Sequence, residues 1–175
     1  MKTLTLLRHA EAAPAAGRND KRRPLTQRGA NEARALGGAL AESFSTDADA
    51  TRVLCSDAVR TTQTAEKLTG QEIGRRLPLE SDAALYNASA QKIFSVIATQ
   101  DDGLRALAVV AHNPGISEAC AALCDRLGKR GDERPSLPLA PATGMRFVFE
   151  VKSWRECVGA APVSGAFVTP HKEAT

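Results

Sequence analysis

Short apolar runs alternate along this chain with longer stretches of helical periodicity, and the alternation predicts the architecture. Residues 4–7 form an apolar run of strand length that stops at Arg8 and His9. Residues 17–23 are polar and basic and read as a loop. Thr26 then caps a predicted helix whose apolar positions Ala33, Leu36, Leu40 and Phe44 recur at helical spacing. A second short strand is expected at 52–55, with Ser56 or Asp57 as the N-cap of a helix carrying Ala58, Ala65 and Leu68 on one side. Residues 79–85 leave the choice open, a short strand being one reading. Ser89 caps a helix with Ile93, Phe94 and Ile97 on its buried side.

Residues 107–111 are almost continuously apolar, as a strand covered on both faces should be. The run ends at His112, and Asn113 then reads as an N-cap with Pro114 in the first helical position. That helix continues through Ile116, Ala119, Cys120, Leu123 and Leu127. Residues 128–141, rich in proline, glycine and charge, read as a mobile loop. Met145, Phe147, Phe149 and Val151 alternate and predict a strand with one face in the core. Trp154 is expected near a turn, and residues 166–168 as a last strand. Strands alternating with helices give an α/β fold, a single three-layer domain over 1–175 with a mostly parallel central sheet flanked by helices. No internal repeat or domain boundary interrupts it.

Composition narrows the function classes. Of 175 residues, 43% are hydrophobic and 25% charged, which excludes disorder as a description of the whole chain. No apolar run approaches the roughly 18 residues of a membrane span, and the opening stretch is too short for a signal-peptide core, so a cytoplasmic location is expected. The net charge is only +3 and aromatics make up 4%, which argues against nucleic acid as a partner, as the span argument does against a membrane. The four cysteines (Cys55, Cys120, Cys124, Cys157) do not suggest a disulfide framework. Cys120 and Cys124 lie one helical turn apart with no further ligand beside them, so they read as core packing. No Asp-x-Asp or His-x-x-x-His arrangement appears, and no metal or other cofactor is expected.

Histidine is scarce, with three in the chain, and two of the three end predicted strands. The first strand runs into Arg8 and His9. The second leads through Ser56 into a helix bearing Arg60. The third stops at His112. Taken singly, each has an ordinary explanation: a solvated Arg-His pair, an arginine paired with Asp57 or Glu66 on its own helix, a backbone-bonded histidine. Taken together they fall where open α/β sheets bind ligands, beyond the carboxyl ends of the strands. Two arginines, two histidines and helix N-termini gathered there would suit a phosphate group. His171, in a polar tail, has no such placement.

These segments also resemble a known family. Residues 7–12, Leu-Arg-His-Ala-Glu-Ala, resemble the Arg-His-Gly signature of the histidine phosphatase (phosphoglycerate mutase-like) superfamily, with Ala10 where glycine is usual. Residues 56–65 are similar to its Ser-x-x-x-Arg-x-x-x-Thr-Ala helix, and residues 109–114 to its second histidine segment. Residues 23–29, Arg-Pro-Leu-Thr-Gln-Arg-Gly, resemble a stretch of the short bacterial phosphohistidine phosphatases. The resemblance runs from residue 4 to about 150 and implies a phosphoglycerate mutase-like fold.

It implies, further, that His9 attacks phosphorus to give a phosphohistidine that water hydrolyses. Arg8 and Arg60 then hold phosphoryl oxygens, His112 donates to one, and Arg23 and Asn113 are further candidates for binding. The chemistry is consistent with this: a neutral imidazole is needed as nucleophile, neighbouring guanidiniums disfavour its protonation, and their forked donors match a phosphoryl group. The leaving-group acid stays open among Glu80, Asp82 and Glu11. Asn113 stands where some branches of the family carry an acidic residue. The expected substrate is phosphohistidine on a partner protein, approached between the 128–141 loop and the basic stretch 18–23. The alternatives are a small phosphorylated molecule, as for a phosphomonoesterase or phosphoglycerate mutase, and a catalytically silent phosphate-recognition module. A cysteine phosphatase would need five residues between Cys55 and Arg60, and the chain has four.

Overall fold

The computed structural model describes residues 1–15, 17, 19–45, 49–70, 77–128 and 136–170. Six strands form one sheet: β1 (Lys2–Arg8), β2 (Thr51–Cys55), β3 (Leu79–Ser81), β4 (Ala106–Ala111), β5 (Gly144–Phe149) and β6 (Ser164–Val168). Their order across the sheet is β3-β2-β4-β1-β5-β6. The pairs from β3 to β1 are parallel, and β5 and β6 add antiparallel ladders at one side. The helices are α1 (Gln27–Ser45), α2 (Val59–Leu68), α3 (Ala90–Ala98), α4 (Gly115–Leu127) and α5 (Trp154–Gly159).

The strand period of two divides the core into two layers. Leu4, Leu6, Leu54, Leu107, Val109 and Ala111 face α3, α4 and α5, where Ile93, Ile97, Ile116, Leu123 and Trp154 meet them. Leu7, Val53, Cys55, Ala108 and Val110 face the other way, onto Leu36, Leu40 and Phe44 of α1 and Ala65 and Leu68 of α2. Every residue of β4 is buried, which accounts for its unbroken apolar run.

Several local expectations are corrected. Ala58, not Ser56 or Asp57, is the N-cap of α2, and its own side chain makes no capping bond, while Ser56 Oγ accepts from the Ala58 amide at 3.3 Å. Ser56 is drawn instead to His112, and Asp57 to Lys21. Pro114, not Asn113, flanks α4, because the Asn113 side chain is engaged with Leu139 and Ser117. Residues 79–85 resolve into β3 and a 3-10 turn, Ala83–Leu85. Trp154 opens a helix of only six residues, too short to show periodicity, with Ser153 accepting from the Glu156 amide at its start.

Of the loop expected to be mobile over 128–141, residues 129–135 lie outside the described residues, as do Arg18 and His171. The later part of that loop is pinned. Leu139 is fully buried, its N–H donates to Ser117 Oγ at 2.9 Å, and its carbonyl accepts from Arg8 and Asn113.

Gly115, at the start of α4, allows a close backbone crossing. A Cβ there would lie 1.8 Å from the carbonyl oxygen of Ala88. Gly38, in the exposed part of α1, has nothing within 4 Å of the same position. Gly115→Ala should therefore lower stability by about 1–3 kcal/mol through forced backbone movement. Gly38→Ala should raise it by about 0.5–1 kcal/mol through helix propensity. Urea denaturation of the two variants checks the opposite signs.

Candidate active site

Strand pairing brings the candidate residues together. Arg8 pairs with Ala111 across the parallel β1–β4 ladder, so His9 and His112 are the next residues along adjacent chains. The His9 amide still bonds the Ala111 carbonyl at 3.2 Å, and the Ser56 amide bonds Val110 at 3.2 Å from the other side. The two imidazole centroids are consequently 5.3 Å apart. Ala10, fully buried, donates its N–H to Thr64 Oγ1 at 3.0 Å, and that hydroxyl donates to the Arg60 carbonyl at 2.7 Å. This ties the segment after β1 to the arginine-bearing turn of α2.

The loop and helix that follow are held by the 23–29 segment. Thr26 Oγ1 accepts from the Gly29 amide at 2.9 Å, as an N-cap does, and donates to Glu11 Oε1 at 2.7 Å. A Cβ on Gly29 would lie 2.1 Å from the Glu11 carbonyl oxygen, so only glycine admits this approach. Arg23 donates from Nε to the Ala13 carbonyl at 2.7 Å and from Nη1 to Asp20 Oδ1 at 3.0 Å.

Hydrogen-bond chemistry fixes the protons on both imidazoles. His9 Nδ1 lies 2.7 Å from the Ala10 carbonyl, which only accepts, so Nδ1 carries the proton. Its Nε2 lone pair accepts from Arg60 Nε at 3.3 Å. His112 Nδ1 accepts from Arg60 Nη2 at 3.2 Å, which leaves the proton on Nε2 to donate to Ser56 Oγ at 2.7 Å. Burial, then the neighbouring guanidiniums, push His9 down to about 4. Burial and then Arg60 push His112 down to about 3. Both rings are neutral at pH 7, as a nucleophilic imidazole requires.

The remaining candidates are placed as follows. Arg8 donates from Nη1 to the Leu139 carbonyl at 2.7 Å, while its buried Nε has no partner. Asn113 uses both ends of its amide on Leu139 and Ser117. Glu11 faces Thr26 and Arg28, Glu80 pairs with Arg52, and Asp82 caps the Ala83–Leu85 turn. Cys55 is buried against the α1–α2 layer, and burial pushes its thiol up, the reverse of what a thiolate nucleophile needs.

Two groups at the site, Asp20 and Tyr86, carry no signal of their role in the sequence. Asp20 accepts from Arg60 Nη2 at 2.9 Å, and Tyr86 Oη donates to the same carboxylate at 2.7 Å. The Tyr86 ring stands edge-on to His112 at 5.3 Å. Ser56, the first residue of the 56–65 segment, accepts the hydrogen bond from His112 Nε2. Arg60 itself pairs with Asp20 across the fold, not with Asp57 or Glu66 on its own helix.

The profile of the histidine phosphatase superfamily (branch 1) matches residues 4–93. An uncharacterized protein of Mycobacterium tuberculosis is 34% identical over 123 residues, 70% of this chain and 72% of that protein. Among solved structures, the candidate phosphohistidine phosphatase SixA from Nakamurella multipartitia is 27% identical with a TM-score of 0.72, covering 99% of this chain and 97% of that one. The corresponding SixA candidate from Agrobacterium tumefaciens is 26% identical with a TM-score of 0.68, covering 83% and 90%.

The buried neutral imidazoles make stability depend on pH. Their folded pKa values, about 4 and about 3, lie below the unfolded value of 6.5, so below pH 6.5 the unfolded chain binds protons that the folded chain refuses. Their contribution is complete above pH 6.5 and is lost as pH falls towards 3–4. By pH 5 the loss should reach roughly 2 kcal/mol for each ring. Denaturant unfolding at pH 7 and pH 5 measures this, and His112→Gln should show a shallower fall than the parent.

Proposed function

This chain belongs to the histidine phosphatase superfamily and is a phosphatase; we propose that it acts through a phosphohistidine on His9 and takes phosphohistidine on another protein as substrate. One observation carries the mechanism. The His9 ring is held by the Ala10 carbonyl with its Nδ1 proton fixed, so the Nε2 lone pair points at the guanidinium of Arg60. An electrophilic phosphorus drawn in by Arg60 meets that lone pair directly.

The step then balances as follows. His9 Nε2 forms a bond to phosphorus, and the bond from phosphorus to the leaving atom breaks with its electron pair. The His9 ring keeps its Nδ1 proton and becomes a phosphoimidazolium, a good leaving group for the second displacement by water. Arg60, Arg8 and Arg23 supply donors to the nonbridging oxygens. His112 supplies its single N–H by turning from the neutral Ser56 hydroxyl to a charged oxygen, a stronger hydrogen bond. Once turned to the phosphoryl oxygens, these donors meet the charge as it develops, which is where electrostatic catalysis gains most.

The choice of a protein substrate is supported by the two SixA candidates, both described as phosphohistidine phosphatases, at 27% and 26% identity. Acid-sensitive, alkali-stable 32P label should appear on the chain when phosphohistidine protein is the donor, and His9→Ala should abolish it. Arg60→Lys should slow turnover by about 10²–10³-fold, since lysine cannot reproduce the fork. A preference for phosphoglycerates or other small phosphate esters over the protein donor would overturn the substrate assignment. Absence of label in the parent protein would overturn the mechanism and leave a phosphate-recognition module.

A further inference from the structure

Asp20 lies on the short turn Asp20–Arg22 and is held by three donors: Arg60 Nη2 at 2.9 Å, Arg23 Nη1 at 3.0 Å and Tyr86 Oη at 2.7 Å. Its main-chain carbonyl also takes Arg60 Nη1 at 2.7 Å. Arg60 thus commits four of its five N–H groups, to His9, to His112 and twice to Asp20. A phosphoryl group in front of His9 Nε2 needs those same guanidinium donors. It can have them only if Asp20 releases them.

We propose that Asp20 yields Arg60 and Arg23 to the incoming phosphoryl group and then serves as the proton donor to the leaving atom. Asp20 takes up one proton from water as the phosphoryl group displaces it from the guanidiniums, and in the first displacement it passes that proton to the leaving nitrogen or oxygen as its bond to phosphorus breaks. In the second, the Asp20 carboxylate takes a proton from the water that attacks the phosphoimidazolium of His9. Inorganic phosphate departs, and the proton returns to water as Arg60 and Arg23 close on the carboxylate again. The proposal rests on the His9 mechanism above, and it gives the reaction a proton donor that Glu11, Glu80 and Asp82 do not provide.

Electrostatics supplies the timing. In the free enzyme, Tyr86, Arg23 and Arg60 hold the Asp20 carboxyl well below the usual carboxylate range, so it is ionised and neutralises part of the guanidinium charge. A phosphoryl dianion removes the guanidinium donors and sets negative charge beside the carboxylate. Both changes favour its protonated form. The other charged and titratable groups around it are consistent with this exchange. Lys21, on the same turn, is committed to Asp57 at 2.7 Å and lies over the Tyr86 ring at 4.6 Å. His112, at the end of β4, is neutral. Tyr86, whose hydrogen bond does most to favour the carboxylate, must turn its hydroxyl away in the same exchange.

The test is a series of aryl phosphates whose phenols span a range of acidity. With a proton donor present, the rate of His9 phosphorylation in the parent enzyme should depend only weakly on the phenol. In Asp20→Asn the rate with the least acidic phenols should fall by about 10²–10⁴-fold, while the most acidic phenol loses little. Asp20→Glu, which keeps a carboxyl group, should recover part of the loss. Inorganic phosphate should bind Asp20→Asn more tightly than the parent, because a competing anion has been removed. A loss equal across the series, a steep dependence already in the parent, or weaker phosphate binding by Asp20→Asn would each overturn the assignment. Label on His9 is followed throughout: its absence in the parent defeats the nucleophile, whereas its presence with a uniform Asp20→Asn defect defeats only the role of Asp20.

Discussion

A guanidinium is always charged and can only donate, and Arg60 has been buried to 4% exposure among groups that must therefore accept. Burying that charge is costly unless acceptors surround it. The acceptors are His9 Nε2, His112 Nδ1 and two oxygens of Asp20. From this one constraint the protonation of the site follows. Each imidazole must turn a lone pair to Arg60, so each must carry its proton on the far nitrogen. The Ala10 carbonyl and the Ser56 hydroxyl stand ready to receive those protons. A protonated ring would set a cation against a cation in a place poor in water. Arg60 thus selects the tautomer of both rings and, after burial, helps to hold their pKa values down through a single set of contacts.

The second constraint is strand register. The carboxyl ends of β2, β4 and β1 are neighbours because β4 is inserted between strands that precede it in sequence. Adjacent strands lie about 4.8 Å apart and each residue advances about 3.3 Å along its strand. Residues that leave neighbouring strands at the same level therefore meet without further adjustment. His9 and His112 leave at the same level since Arg8 and Ala111 are partners. A slip of one residue would carry one ring away from the other and turn Leu4, Leu6 and Leu7 to the wrong layers. The apolar core that fixes the register also fixes the distance between the imidazoles, 5.3 Å.

Much of this architecture was legible in the sequence, because its signals are local or periodic. The unbroken run of β4, the alternation of Met145, Phe147 and Phe149, and the Thr26 cap each state one physical requirement in a few residues. The adjacency of His9, Arg60 and His112 could be anticipated from strand ends alone. What escaped was long-range and polar. Asp20 lies 40 positions from Arg60 and Tyr86 lies 66 from Asp20, and no periodicity links them. Ser56 and Asn113 resembled caps because hydroxyl and amide side chains suit both roles. The tertiary partner won in each case: His112 for Ser56, Leu139 and Ser117 for Asn113. The burial of Leu139 carried no such signal, because proline and charge outnumber the one leucine that anchors the end of the 128–141 segment.

The inner strands β2, β4, β1 and β5 are paired on both sides, and at their ends side chains and helix starts take over. Neither α2 nor α4 begins with a side-chain cap, and the buried Nε of Arg8 has no partner. An unmet buried donor costs on the order of 1–3 kcal/mol, so such groups persist only where something else repays the cost. Three guanidiniums and two uncapped helix starts share one end of the sheet, and the negative charge set among them belongs to Asp20, a side chain on a turn rather than on a strand. A carboxylate on a turn can move where one on a strand cannot. Asp20 offsets only part of the guanidinium charge, so the site stays electropositive while its donors are held by a side chain that an incoming anion can displace.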